Sequence, residues 1–222
     1  IVGSIVNAFL ATYIIMNALW IHIPFLITLA AGDAVAADGS NGIFRLTLIR
    51  PVSRLKILLS KLLASYIYSA GLVVFCAFWS LGIGSLVLGT GDLIVLDNGI
   101  LVLNEGQAWI RMLLSFSLAI VVMCMVSTLC FMFSSMVNNG IGPIIGAMFL
   151  IIVGYIIIAI PLDFFTKIEP YVFVSYFNVW LDAFKDPIPW LLIGKKLSVL
   201  ITYSLIFFGI SAFVFLNKDI KS

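Results

Sequence analysis

The feature that most constrains this chain is where its charges are missing. Ile1 to Gly32, Leu62 to Gly91, Met112 to Leu162 and Leu197 to Asn217 contain no Asp, Glu, Lys or Arg. A helix needs about 20 consecutive apolar residues to cross a bilayer, and a buried helix of a soluble protein has no use for so many. Composition agrees, with 63% hydrophobic and 10% charged residues, where soluble domains carry about a quarter charged. The expected fold class is an all-α polytopic membrane protein, one transmembrane domain over 1–222. Twelve basic and ten acidic residues leave a net charge of +2, too small and too dispersed for nucleic acid. Cys76, Cys124 and Cys130 lie inside apolar runs without metal-ligand spacing and read as small hydrophobes.

Four runs make five spans, because Met112 to Leu162 is more than twice the length one helix needs. Its reversal is written in Asn138-Asn139-Gly140-Ile141-Gly142-Pro143, a cluster of turn formers without charge. The expected spans are Tyr13 to Ala36, Leu62 to Thr90, Met112 to Val137, Ile144 to Pro161 and Leu197 to Leu216. The first run lacks the basic start of a signal peptide. The chain opens at Ile1 instead of Met, and an N-terminal piece is expected to precede it. Arg45, Arg50, Arg54, Lys56 and Lys61 between the first two spans, with Lys218 and Lys221 in the tail, face Arg111, Lys167, Lys185, Lys195 and Lys196 on the other side. The positive-inside rule then makes the first loop and the C-terminus cytoplasmic. Segments 91–111 and 162–196 become external loops.

The stretch from Asp38 to Lys61 is the most ordered polar sequence in the chain. Pro51 cannot continue a helix begun near Ile43 and pushes Arg50 out of helical conformation, while Ser53 is a ready N-cap for a second helix running through Lys61 into the next span. An ordinary positive-inside loop would account for the charges, though not for their order. The pattern resembles the membrane subunits of ABC transporter type 2 export permeases, in which an acidic residue ending the second membrane helix precedes Gly-Thr, a short apolar helix, Arg-Pro-(Val/Ile)-Ser-Arg and a lysine opening the third helix. Arg50, Pro51, Ser53, Arg54 and Lys61 match as they stand, as does Gly42; Asp38 replaces the usual Glu and Ile43 the Thr. A six-span member would have one further helix before Ile1.

The resemblance implies that 37–61 is a cytoplasmic coupling segment seated in a cleft of an ATP-hydrolysing partner. Asp38, Gly42, Phe44, Arg45, Arg50, Pro51, Ser53, Arg54 and Lys61 are its candidate residues. Apolar anchors such as Phe44 suit such a cleft, and arginines suit carboxylates at its rim. The implied partners are ABC ATPase subunits, a second copy of the chain or a related permease, and membrane lipids. ATP and Mg belong to the partner. The chain has no GxxxxGK[ST]; Gly194-Lys195-Lys196 lacks both the upstream glycine and the Ser/Thr. The expected chain is thus a non-catalytic permease in the inner cell membrane of a prokaryote, coupling hydrolysis to export of a hydrophobic or amphipathic substrate. The alternative is a subunit that passes ATPase motion to another membrane or periplasmic partner without moving a substrate itself.

Several features stand outside that segment. His22, the single histidine, precedes Pro24, the expected kink of the first span. Without acidic or cysteine neighbours at ligand spacing it reads as facing a helix interface or a translocation path, and not as a metal ligand. Asp33 follows eleven residues later, on nearly the same helical face. Ser117, Ser127, Thr128, Ser134 and Ser135 read as glue between helices, and Gly142 with Gly146 as a close-packing pair. Asp97-Asn98-Gly99 between Leu93 to Leu96 and Ile100 to Leu103 is the strongest short hairpin signal, an apolar interfacial loop being the alternative. In the last loop Ser175, Asn178, Asp182 and Lys185 recur at helical spacing. They leave Phe173, Phe177, Trp180, Leu181 and Phe184 on the other side of an expected amphipathic helix at the outer surface.

Overall fold

One helix organises the structure and the others lean on it. In a computed structural model of the chain, residues 6–40, 53–96 and 100–217 are described, the side chains of 37–40 excepted. The helices α1 (Ala8–Leu19) and α2 (His22–Ser40) come first. Next, α3 (Arg54–Ala77) runs through a π turn at Phe78–Ile83 into α4 (Gly84–Leu88). A hairpin of β1 (Leu93–Leu96) and β2 (Ile100–Leu103) leads into α5 (Glu105–Met136). After α6 (Ile141–Ala159) and α7 (Asp163–Ile168) come two 3-10 segments, Glu169–Tyr171 and Phe173–Phe184, and then α8 (Trp190–Asn217). Among the described residues α5 touches α2, α3, α6, α8 and the long 3-10 segment. In its most apolar stretch 72% of residues are buried, against 17–22% in the other three long helices, which makes α5 the axis and the others a shell.

Four helical stretches, α3–α4, α5, α6 and α8, are long and apolar enough to cross a membrane. The count reaches the expected five if α1 and α2, bent by 58° at their junction, form one broken span. The break falls at Trp20 and Ile21, just before Pro24. A proline ring collides with the carbonyl four residues earlier and offers no N–H, so the helix parts near Trp20 and restarts with Pro24 in its first turn. The long helices also outrun the uncharged runs. Asn104 starts α5 well before Met112: its Oδ1 accepts from Gln107 N at 3.0 Å while its own N–H donates to Gln107 Oε1 at 3.3 Å, a reciprocal cap. The shell helices turn apolar rows outward. On α6, Ile141, Ile145, Phe149, Ile152 and Ile156 are all exposed, a stripe at i, i+4 and i+3 spacing.

The expected hairpin is present, with Leu93 paired to Leu103 and Leu96 to Ile100. Alternation buries Leu93, Val95 and Leu103 and exposes Ile100 and Val102. Its turn, 97–99, lies outside the described residues. Gly89 ends α4 at φ 73°, a conformation that favours glycine, and its carbonyl accepts from Ala8 N at 3.0 Å. Buried Asn7 caps α1 by accepting from Leu10 N at 3.0 Å and donates to Asp92 O at 2.7 Å. The start of the first span is thereby tied to the end of the second.

The amphipathic α-helix expected in the last loop is corrected. Phe173–Phe184 winds as a 3-10 helix, whose three-residue turn aligns i with i+3. Val174, Phe177, Trp180 and Ala183 then form one buried ridge, and Asp182, expected on the wet face, follows Val179 inward and is 2% exposed. The ridge packs on α5, α6 and α8, so the segment is a wall of the core. Trp180 meets Trp20 at a centroid distance of 4.9 Å and Phe184 at 6.3 Å.

Candidate functional site: the end of the bundle beside residues 41–52

Ends of α2, α3, α5, α6 and α8 meet beside the segment in which the sequence places the coupling residues. Of those residues, Gly42, Phe44, Arg45, Arg50 and Pro51 lie outside the described residues, and Asp38 belongs to the last turn of α2 without a described side chain. Ser53, Arg54 and Lys61 are placed. Ser53 occupies the N-cap position of α3 with extended backbone (φ −64°, ψ 141°), although its hydroxyl makes no capping hydrogen bond. The helix then continues without interruption into the apolar stretch, as its sequence implies.

The two placed cations donate to main-chain carbonyls of neighbouring helices. Lys61 Nζ donates to Ala34 O at 2.6 Å, and Arg54 Nη1 reaches Leu216 O at 3.4 Å. Leu216 O lies in the last turn of α8, where carbonyls lack intrahelical partners and the negative end of the helix dipole favours a cation, whereas Ala34 O lies more than a turn before the end of α2 and its bond to Lys61 ties α2 to α3. Asp33, exposed, stands at the opposite kind of terminus, since a Cβ on Gly140 at the N-cap of α6 would come within 1.9 Å of its Oδ1. Beneath them Val35, Leu58, Leu62, Phe131 and Phe215 form a small core of their own, separate from the main one. A groove of about 280 Å³ runs between α2 and α3, lined by Ala30, Ala34, Lys61 and Tyr68 among others.

The bond between α2 and α5 is unusual. Ser134 Oγ donates to Gly32 O at 2.6 Å and accepts from Val35 N at 3.1 Å and Ala36 N at 2.9 Å. One hydroxyl thus intercepts the ladder bond that would join Ala36 N to Gly32 O, the kind of insertion that bends helices. Gly32 also lets α2 approach the start of α6: a Cβ there would meet Ile144 Cγ1 at 2.8 Å and Gly140 O at 3.3 Å, with Cys130 Sγ of α5 at 3.6 Å. Thr128 shares a hydrogen bond of 2.7 Å with Tyr66 Oη, a polar link between α5 and α3. Ser117 and Ser135 instead bond within α5. Gly146 lets α6 pass the Phe133 ring, whereas Gly142 belongs to the turn, where its N–H donates to Asn139 Oδ1 at 2.7 Å.

His22 lies at the α1–α2 break, exposed, with Nδ1 at 3.2 Å from Ala18 O. It caps a carbonyl that the break releases and faces away from the interior of the described bundle. Among the described residues no three of His, Cys, Asp and Glu come together.

At the other end lies a polar cluster that the charge pattern did not single out. Arg111, buried in the second turn of α5, donates to Ala183 O at 3.2 Å, Lys185 O at 2.8 Å and Asp186 Oδ1 at 3.1 Å. Asp182 pairs with Lys185 at 2.8 Å through Oδ1 and with Lys196 through Oδ2. A signal for it exists in the sequence, because Arg111 and Lys196 are the last charges before the two uncharged runs Met112 to Leu162 and Leu197 to Asn217.

These features define a class: a mostly helical protein built on long apolar helices, with its charges gathered at their ends. Within that class the chain belongs to the family described as protein of unknown function (DUF2705), which it matches over residues 3–221. It is 28% identical over 209 residues to the uncharacterized protein YhcI of Bacillus subtilis (strain 168), across 89% of this chain and 64% of the relative. The chain thus spans under two thirds of that relative's length. No solved structure matches it.

Proposed function

We propose that the chain is the transmembrane subunit of an ATP-driven exporter of the ABC type 2 export permease class. It lies in the cell membrane with the α2–α3 connection and the C-terminus in the cytoplasm. A second copy or a related permease completes the pore, and ATP with Mg is hydrolysed on separate ATPase subunits. The cargo is hydrophobic or amphipathic. The observation that carries this reading is that α3 begins at Arg54, the last residue of the sequence element Arg50-Pro51-Val52-Ser53-Arg54. The helix begins at Arg54 and runs 35 residues to Leu88, so a push on its first turn is delivered along a whole span. Lys61 bonds to the main chain of α2 and Arg54 to the last turn of α8, which spreads that push to two further helices.

The test reverses the charges that a partner would read. Arg50→Glu with Arg54→Glu places like charges against an acidic rim, and wrong-sign contacts of this kind cost several kcal/mol. The double variant is expected to insert and dimerise, yet to lose co-purification with its ATPase or to uncouple hydrolysis from export. Full ATPase binding with full activity would remove the proposal's main support. Substrate-stimulated hydrolysis in vesicles separates an exporter from a subunit that only relays motion.

A further inference from the structure

Two neighbours grip the same turn of α2. Ser134 of α5 donates to Gly32 O at 2.6 Å and accepts from Val35 N and Ala36 N, while Lys61 of α3 donates to Ala34 O at 2.6 Å. Ser134 is fully buried, and its bonding departs from that of other helical hydroxyls in the fold. Ser69, Ser117 and Thr128 each donate to the carbonyl four residues back in their own helix, the ordinary bond of a hydroxyl inside a helix. The same bond, to Cys130 O, is within reach of Ser134 by rotation to another χ1 rotamer.

Two arrangements then satisfy the same groups. As observed, the Ser134 hydroxyl makes three hydrogen bonds to α2. With the hydroxyl turned back onto Cys130 O, Val35 N and Ala36 N return to Ala31 O and Gly32 O of their own ladder, so no donor is orphaned and no bond is lost. An element with two fully bonded packings is the raw material of a switch. Packing sets the direction in which the turn can move. Gly32 lies so close to α6 that a Cβ on it would meet Ile144 Cγ1 at 2.8 Å and Gly140 O at 3.3 Å, which closes that side. On the side of α3 there is space, a groove of about 280 Å³ lined by Ala30, Ala34 and Lys61.

We propose that residues 32–36 form a two-state joint in α2, bent onto α5 when Ser134 is inserted and straight, displaced toward α3, when it is withdrawn. Lys61 draws the turn toward α3 through Ala34 O and so favours the straight state. A displacement of α3 therefore changes the balance between the two. The joint stands on this bond pattern and is independent of the exporter reading, since it needs no ATPase to exist.

The test follows the Val35 and Ala36 amides of the full chain, labelled with 15N in detergent micelles, by NMR. Exchange between helix packings falls in the microsecond to millisecond range, so relaxation dispersion is expected at both amides in the wild type. Ser134→Ala leaves only the straight state. Dispersion should vanish while both amides stay protected from hydrogen exchange, because the ladder has re-formed. Lys61→Met is expected to reduce dispersion as well, with both peaks displaced from wild type in the direction opposite to Ser134→Ala. Lys61→Arg and Ser134→Thr, which keep the donor and the hydroxyl, should retain dispersion, as should Ser117→Ala elsewhere on α5. A wild type without dispersion, a reading that needs no variant, overturns the inference. So do unprotected amides in Ser134→Ala, which would mean that no second bonded state exists, and Lys61→Met peaks identical to wild type, which would cut the link to α3. Failure of the exporter proposal leaves all of these readings unchanged.

Discussion

The two ends of the bundle carry similar charges and use them in opposite ways. At the coupling end, Lys61 and Arg54 donate to backbone carbonyls of α2 and α8, and Asp33 sits exposed beside Gly140. At the other end, Arg111 and Asp182 are buried and bonded to side chains and carbonyls of the closing loop. A carbonyl partner leaves an ammonium or guanidinium its full charge, whereas a carboxylate partner neutralises it. The first end therefore uses these cations to tie neighbouring helices through their main chains, while the second spends most of its charge on holding itself shut. The difference teaches that a lysine or arginine near a span terminus is not informative until its partner is known.

Arg111→Ala is expected to have the largest effect on stability. It orphans Ala183 O and Lys185 O, and each buried acceptor left without a partner costs about 1–3 kcal/mol. Arg54→Ala at the coupling end should cost about 0–1 kcal/mol, as exposed charges do. Unfolding midpoints in mild detergent check both, and equal losses would break the contrast. Gly154→Ala comes next. A Cβ there would lie 2.5 Å from Val174 Cγ2 and 2.9 Å from Val174 Cβ, and overpacking of a tight contact costs about 1–3 kcal/mol. Gly194→Ala, with nothing within 4 Å of the added atom, should instead stabilise α8 by up to about 1 kcal/mol; thermal shift assays on the pair distinguish packing from propensity. A modest effect, about 1 kcal/mol, is expected for Ser134→Ala, because Ala36 N–H can then close back onto Gly32 O. Hydrogen exchange at Val35 and Ala36 should report the re-formed ladder, and a loss as large as that of Arg111→Ala would place the main lock at the coupling end.

Much of the architecture was legible in the sequence because it follows from local chemistry. The turn at Asn138 to Gly140, the hairpin around Asp97-Asn98-Gly99 and the start of α3 after Ser53 are each encoded by a few adjacent residues. What misled was periodicity. Ser175, Asn178, Asp182 and Lys185 fit a 3.6-residue turn, and the chain adopts a 3.0-residue turn there because Val174, Phe177, Trp180 and Ala183 then align against α5. Helix ends shifted for a related reason: charge marks where apolarity stops, whereas a cap such as Asn104 marks where hydrogen bonding starts.

By itself the sequence determined that long uncharged helices dominate this protein, where its main reversals fall, and that its ordered basic element adjoins the start of α3. Those properties rest on composition and on neighbours a few residues apart. Only the tertiary structure decided that α5 is the axis, that Ser134 replaces a bond of the α2 ladder, that Lys61 ties α3 to the main chain of α2, and that Asp182 is buried between two lysines. Each of these joins groups far apart in the chain, and the free energy that selects them comes from desolvation and close approach, which exist only once the helices have packed.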